Sequence, residues 1–237
     1  MTGTFHTTRW SLIAGAGAAD EARRSAALSE LCATYWKPLY AFLRARGRAP
    51  QDSADLVQDL FAKLLEKPAL GELEPGSGRF RNWLLTVLVN HERDVRDHGR
   101  ALKRGDGAST IAISAEEGER RFAELQDPAA GPEELFERAW VREVLETAMR
   151  LLENEHIARG KRAIFAALSP LLTEEVDAAA RAELAVRLDL SPVALRVALH
   201  RMKSRYRELI LETVRETLED PAESAGELEA LIGALSA

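Results

Sequence analysis

The sequence predicts an all-α protein with two helical domains, joined by an acidic linker and followed by a C-terminal helical extension. Ala, Leu, Glu and Arg, which are strong helix formers, dominate the chain of 237 residues. Apolar residues recur at the three- and four-residue spacing of helices, and no segment shows the two-residue alternation of a strand. Hydrophobic residues make up 46% of the chain and charged residues 30%, which is typical of a globular protein with a packed core.

The composition excludes several classes of protein. The 32 basic and 38 acidic residues give a net charge of −6, which argues against a uniformly basic nucleic-acid binder but allows local basic patches. A single cysteine, Cys32, forms neither an internal disulfide nor a cysteine-based zinc site, so we expect a reducing cytoplasm. No apolar run approaches the roughly 18 residues of a membrane helix, so no membrane partner is expected. The five histidines are scattered and no phosphate loop or nucleophile motif is present, so we expect no enzyme, cofactor or metal.

The first predicted domain, with an N-terminal arm, covers residues 1–104. Its first helix carries apolar residues from Leu28 to Leu43 at helical spacing. A second helix opens with acidic residues after Pro50 and stops before Pro68, and a third begins at about Phe80. These three helices predict a bundle.

The linker is predicted at 105–132, because Gly, Ser, Pro and acidic residues replace the apolar periodicity there. A short helix around Glu116 to Leu125 is compatible with it. A second helical domain is predicted at 133–211, with Pro170 bending or ending one of its helices. Residues 212–237 form an acidic C-terminal extension with a short apolar stripe.

Residues 181–210 carry a helix-turn-helix pattern. A short helix with the small Ala185 is followed by a turn at Asp189, and then by Ser191 as N-cap and Pro192 in the first helical position. The second helix presents cations, which suit the edges of guanine and the phosphates of a DNA major groove. The alternative is a solvated basic face on an ordinary helical hairpin.

The end of the first domain is also basic. Seven Arg or Lys residues and three acidic residues lie between Arg79 and Arg104. Phe80 and Trp83 lie beside these cations, an arrangement that suits single-stranded DNA, whose bases stack on rings. The alternative is that both rings belong to the core of the bundle.

Three segments together resemble a bacterial sigma factor. Residues 52–61 resemble the acidic motif of region two, residues 78–85 with Asn90 resemble its melting part, and residues 182–206 resemble region four. The likeness is to the extracytoplasmic-function (ECF) group of the sigma-70 superfamily, in a divergent branch. It covers most of the chain apart from the linker and the last 25 or so residues.

The resemblance implies two partners, core RNA polymerase and promoter DNA. The polymerase β′ clamp helices would bind Asp55, Gln58 and Asp59. A loop from Leu70 to Arg79, with Asn90, would hold a base flipped out of the minus-ten element. The residues implied for minus-ten binding and melting are Arg79, Phe80, Trp83, Asn90, Arg93, Arg96 and Arg100. Those implied for the minus-thirty-five element are Arg196, His200, Arg201, Lys203 and Arg205.

Some positions depart from the family pattern. Asp189 stands where a helix-turn-helix usually has glycine, and Asp tolerates the required backbone better than most residues. Val197 and Ala198 stand where polar or basic residues are frequent, which predicts altered base readout. Two other functions remain open: a helix-turn-helix regulator that never joins polymerase, and a helical adaptor whose basic stretches are solvated.

Two regulatory hypotheses also follow. The acidic extension either folds back over a binding face or is an extra packed helix. Ser53 lies inside the acidic motif and is a candidate phosphorylation switch. The kinase that such a switch requires is a candidate further partner. An anti-sigma factor is another.

Overall fold

The computed structural model describes residues 21–66, 80–97, 113–125, 127, 129–173, 177–215 and 226. All regular structure in these ranges is helical, which confirms the all-α prediction. The helices are α1 (Glu21–Ala45), α2 (Pro50–Glu66), α3 (Phe80–Asp97), α4 (Ala115–Ala123), α5 (Pro132–Ala158), α6 (Arg162–Leu168), α7 (Ala178–Arg187) and α8 (Pro192–Arg215).

The chain divides into two compact units. The first comprises Met1–Glu143 with Val214–Ala237, and the second comprises Val144–Thr213. The boundary between Glu143 and Val144 falls inside α5. The N-terminal half of this helix, which the sequence places in the second domain, therefore groups with the first unit.

The core of the first unit is built on α1, α2 and α3. The predicted helical stripes are buried, since Leu39, Val57 and Leu88 are each 0% exposed. Helix α1 ends where Gly47 adopts a left-handed φ of 82°. The amide of Arg48 then donates to the carbonyl of Leu43 at 3.1 Å, which closes the helix end in a Schellman motif.

Helix α4 lies within the segment predicted as a solvated linker, but it is packed against the first unit. Ser114 caps it by accepting a hydrogen bond from the amide of Glu117 at 3.2 Å. Phe122 is buried in a cluster with Tyr40 of α1 and Ala54 of α2. The composition of the segment did not predict this docking, because its Gly, Ser, Pro and acidic residues are typical of a solvated linker.

The beginning of α5 is fixed to the same unit by two partly buried ion pairs. Arg81 of α3 is buried, lies over the ring of Trp140 and donates to Glu137 at 2.9 Å. Lys37 of α1 donates to Glu143 at 2.8 Å. These contacts explain why α5 up to Glu143 groups with the first unit.

The second unit contains the rest of α5, helices α6 and α7, and most of α8. A 3-10 helix, Ser169–Leu172, follows α6 directly and has Pro170 in its first turn, as the sequence predicts for a helix end. The buried residues that form the core of the second unit are Ala148, Leu152, Phe165, Leu168, Leu171, Leu184, Ala185, Leu195, Met202 and Leu209.

The turn between α7 and α8 has the predicted chemistry. Asp189 adopts a left-handed φ of 52°. The amide of Leu190 donates to the carbonyl of Ala185 at 2.9 Å, as in a Schellman motif in which Asp replaces the usual glycine. Ser191 then caps α8 by accepting from the amide of Ala194 at 3.1 Å. Helix α8 is longer than predicted and continues to Arg215.

Some predictions lie outside the described residues. They concern the N-terminal arm, the loop from Leu70 to Arg79, Arg100, and the extension beyond Arg215. Among the helices that the structure does describe, none is both long and apolar enough to cross a membrane.

Candidate functional site

The acidic motif lies on the exposed side of α2. Asp55 and Asp59 are exposed and stand one helical turn apart, whereas Gln58 is half-buried. Gln51, one turn earlier, donates to Asp55 at 2.9 Å. We call Asp55, Gln58 and Asp59 the α2 acidic face. Its two carboxylates are available to a basic partner.

Helix α4 borders this face. Ala54 is 1% exposed in the cluster with Phe122, and Gln58 follows it by one turn on the same side of α2. Helix α4 therefore packs on α2 at Ala54, one helical turn before Gln58. The sequence did not predict this contact, because nothing in the acidic segment that contains α4 indicates which helix α4 packs against.

Ser53 is not a phosphorylation site of the folded protein. Its side chain is 0% exposed, and its hydroxyl donates to the carbonyl of Ala49 at 3.0 Å. A kinase cannot reach this hydroxyl without unfolding the start of α2. The hypothesis of a switch at Ser53 is therefore wrong.

Helix α3 carries a second exposed face. Asn90, Arg93 and Arg96 are exposed and Trp83 is half-buried. Trp83, Asn90 and Arg93 share one side of the helix, since they are separated by seven and three residues. We call these three residues the α3 face. It combines a partly accessible ring with an amide and a cation, and Arg96 extends it toward the helix end. Phe80 begins α3, and its side chain lies outside the described part of the chain, as do Arg79 and Arg100.

Helix α8 carries a basic stripe in the second unit. Arg196, His200 and Lys203 are exposed and follow each other at four- and three-residue spacing, with Arg207 one turn further. Within the described part of the chain, no carboxylate pairs with these four residues. Arg201 is also exposed, but its position in the helix turns it away from the stripe. The stripe can therefore meet a single polyanion.

Arg205 is set apart from the stripe. Its guanidinium donates to Glu155 of α5 at 2.7 Å, and to Glu208 and Glu212 at 2.9 and 3.1 Å. Hydrogen bonding to Glu155 is the largest cause that raises the pKa of Arg205. The same contact lowers the pKa of Glu155. With three carboxylates around it, Arg205 holds α8 against α5, and the structure does not bring it together with the other predicted DNA contacts.

One comparison with known proteins finds a match. Residues 31–101 match the family model of sigma-70 region 2. This segment of the chain is similar to region 2 of the sigma-70 superfamily. No curated protein and no solved structure matches the chain significantly. The match covers most of α1 and all of α2 and α3, so both the α2 acidic face and the α3 face belong to region 2.

The match supports a sigma-factor-like role in transcription initiation. In this family, region 2 binds core RNA polymerase and promoter DNA. A basic partner suits the α2 acidic face, and a nucleic acid suits the ring and cation of the α3 face.

The sequence missed the contact between Arg81, inside the matched segment, and Glu137 and Trp140 of α5, outside it. Arg81 is counted among the basic residues of α3 by composition alone, yet it is 3% exposed and pairs with Glu137. A signal was present, because Arg81 lies on the same helical stripe as the buried Leu84 and Leu88. Trp140 gave no such signal, since its contact with Arg81 joins residues far apart in the sequence.

A buried histidine joins α3 to α2 within region 2. His91 of α3 is 5% exposed, and its Nδ1 lies 3.0 Å from the ammonium of Lys63 on α2. Burial, followed by the charge of Lys63, lowers the pKa of His91, while Asp59 and Asp94 act in the opposite direction. Lysine is a donor only, so Nδ1 accepts and the neutral imidazole fits this geometry.

No cluster in the described ranges suggests a metal centre. In the part of the chain that the structure describes, three or more His, Cys, Asp or Glu residues do not come together as potential ligands. The isolated Cys32 is buried, and burial raises the pKa of its thiol. The features that point to function are therefore the charged surfaces of the protein.

Proposed function

We propose that the chain is a sigma factor of the ECF group, which binds core RNA polymerase and directs it to promoters with defined minus-ten and minus-thirty-five elements. The observation that carries the proposal is the exposed α2 acidic face within a matched region 2. The basic stripe on α8 supports a second contact with DNA. In this function the chain makes and breaks no covalent bond, and the polymerase performs the chemistry.

Polymerase binding is assigned to the α2 acidic face. Asp55 and Asp59 are exposed on one side of a helix whose opposite side is held in the core by Val57 and Leu60. The carboxylates are therefore presented in a fixed register to the β′ clamp helices. Complementary charge would speed the encounter and fix the orientation of the complex.

Minus-ten binding is assigned to the α3 face. Arg93 supplies a cation for the phosphate backbone, Asn90 an amide for a base edge, and Trp83 a ring against which a base can stack. Binding the unpaired strand more tightly than the duplex would offset part of the free energy of base-pair opening. Helix α3 is held firmly for this contact, because Arg46 and Arg48 pair with its buried Glu92 at 3.2 and 2.6 Å.

Minus-thirty-five binding is assigned to α7 and α8, as a helix-turn-helix whose second helix enters the major groove. The tight turn at Asp189 and the cap at Ser191 fix the direction in which α8 starts. The residues exposed for contacts with bases and phosphates are Arg196, His200, Arg201 and Lys203. Arg205, with its three carboxylate partners, is assigned to the support of α8.

The test is co-purification with core RNA polymerase. We expect the double variant Asp55→Arg with Asp59→Arg to lose binding that the unaltered chain shows. Glu133→Arg with Glu183→Arg is the matched control, since it changes the net charge equally at two other exposed positions. Retention of polymerase by the Asp55 and Asp59 variant, or no binding by the unaltered chain, would contradict the proposed polymerase contact.

A second experiment tests the alternative that the protein is a regulator that acts without polymerase. Footprinting of a promoter by the reconstituted holoenzyme should show protection upstream and reactive, unpaired thymines at the minus-ten element. Arg93→Ala should reduce the reactivity of those thymines, while Arg162→Ala, an equal loss of charge at an exposed position of α6, should not. A footprint from the chain alone, unchanged by polymerase and without unpaired bases, would favour the regulator.

A further inference from the structure

Two valines are exposed at the start of α8. Val193 is 59% exposed and Val197 is 40% exposed. They are four residues apart and therefore share one side of the helix. This side is not the one that packs into the second unit, because Leu195 and Met202 occupy the buried side of α8.

Cations surround this apolar pair. Arg196 and His200 are exposed on one flank of Val193 and Val197, and Arg201 is exposed on the other. The outer side of α8 thus has an apolar centre between two basic edges. Its charge complements a polyanion, and its centre complements a methyl group.

The position in the helix adds to the argument. In a helix-turn-helix, the N-terminal residues of the second helix contact base edges while cations hold the phosphates. In the major groove, the 5-methyl group of thymine is an apolar feature that cytosine and uracil lack. A valine side chain neither donates nor accepts a hydrogen bond, so it distinguishes bases only through such apolar contact.

We propose that Val193 and Val197 select thymine in the minus-thirty-five element by contact with its 5-methyl group. This inference rests on the proposed function, in which α8 enters the major groove. It assigns base specificity to the two valines and leaves phosphate binding to the neighbouring cations.

The size of the effect follows from the area that is buried. One methyl group removed from water against a valine corresponds to about a four-fold change in affinity, or about 0.8 kcal/mol. Uracil in place of thymine deletes only this methyl group and keeps the pairing with adenine. Substituting deoxyuridine for one thymine at a time therefore isolates the proposed contact.

The experiment uses the full chain bound to core RNA polymerase. Duplexes are selected from a library randomised over the upstream element, and the best one is resynthesised with each thymine replaced in turn by deoxyuridine. We expect about a four-fold loss of affinity at one or two positions. Val193→Ser and Val197→Ser should each abolish the loss at one of them, since serine has a similar helix propensity but no methyl groups.

The matched control is Val186→Ser, which alters an 82% exposed valine on α7 and should keep the full thymine preference. Arg196→Ala and Lys203→Ala report on the proposed function itself. If they weaken binding while uracil changes nothing at any position, the valine inference fails and the proposed function stands. If neither these variants nor the selection shows DNA binding through α8, the proposed assignment of minus-thirty-five binding to α8 fails as well.

The same binding measurements would reveal a different occupant of the surface formed by Val193 and Val197. If Val193→Ser and Val197→Ser both bind every duplex more tightly than the unaltered chain, the valines hold another segment of the chain over α8. That result would overturn the proposal in favour of an internal cover, such as the residues beyond Arg215.

Discussion

A methyl group placed on Gly118 of α4 would lie 2.7 Å from Cζ of Tyr40 in α1. Tyr40 is 1% exposed, so its ring has no free space into which to move. Its hydroxyl donates to Glu119 at 2.8 Å, and Glu119 also accepts two hydrogen bonds from Arg44. Helix α4 therefore docks on region 2 through a glycine at its closest approach and an ion pair beside it.

We expect Gly118→Ala to lower the free energy of unfolding by about 1–3 kcal/mol, as overpacking does in other cores. Alanine favours a helix by about 1 kcal/mol over glycine, so a loss would identify the clash with Tyr40 as the cause. Denaturant unfolding measures the change. Gly226→Ala is the control, because Gly226 is helical and no atom lies within 4 Å of its added methyl. A Gly118→Ala protein as stable as the control would contradict the close packing.

The left-handed conformation of Asp189 predicts an order of stabilities. This conformation costs a residue with a side chain roughly 1–2 kcal/mol, and it costs Asp less than Ala because the Asp side chain bonds locally. Asp189→Gly should therefore be more stable than Asp189→Ala by about 1 kcal/mol, with the unaltered chain between them or equal to the glycine variant. Thermal and denaturant unfolding report the order. An alanine variant as stable as the glycine variant would mean that the turn is not held in this geometry.

His91 predicts a pH dependence. Its pKa in the folded state is lowered below 6.5, so the folded state favours the neutral imidazole. The stability that this group contributes is present above the pKa of the unfolded state and is lost as the pH falls through and below it. We expect the free energy of unfolding to decrease from about pH 7 to about pH 5, at a rate that His91→Asn reduces. Asparagine keeps an acceptor near Lys63. The same substitution at the exposed His200 is the control, and an equal effect of both would contradict the assignment.

Lys203 and Arg205 lie two residues apart in α8, but their replacement by alanine should affect different properties, DNA binding in the first case and stability in the second. Lys203→Ala should weaken duplex binding and reduce the slope of log K against log salt by about 1, without changing stability. Arg205→Ala should lower the free energy of unfolding by about 1 kcal/mol or less, because Glu155 and Arg205 are partly solvated. Its salt slope should not change. A reduced slope for Arg205→Ala, measured by anisotropy on one duplex, would show that Arg205 leaves its carboxylates to bind DNA.

The residues that start and end helices made much of the fold predictable. Pro50 and Pro68 bracket α2 as the sequence indicates, and Ser191 with Pro192 starts α8 where predicted. These signals are local, because a cap or a missing amide acts within one helical turn. The turn at Asp189 was predictable for the same reason, since this residue type tolerates the backbone that the turn needs.

The docking of α4 and the beginning of α5 was not predictable in this way. Phe122 and Gly118 lie in an acidic segment whose composition predicts a solvated linker, and Tyr40 lies 79 residues before its hydrogen-bond partner Glu119. Packing between distant segments leaves no periodic mark in the segment itself. The same holds for Arg205, whose carboxylate partner Glu155 is 50 residues away.

The sequence by itself determined where helices such as α2 and α8 begin, and which residue types can meet polymerase or DNA. It did so because capping, propensity and periodicity are properties of neighbours along the chain. The tertiary structure decided which of those charged residues remain available: Asp55, Asp59 and Lys203 are exposed, whereas Ser53 is buried and Arg205 is held by carboxylates. Availability depends on what packs against a side chain, and only the folded chain fixes that.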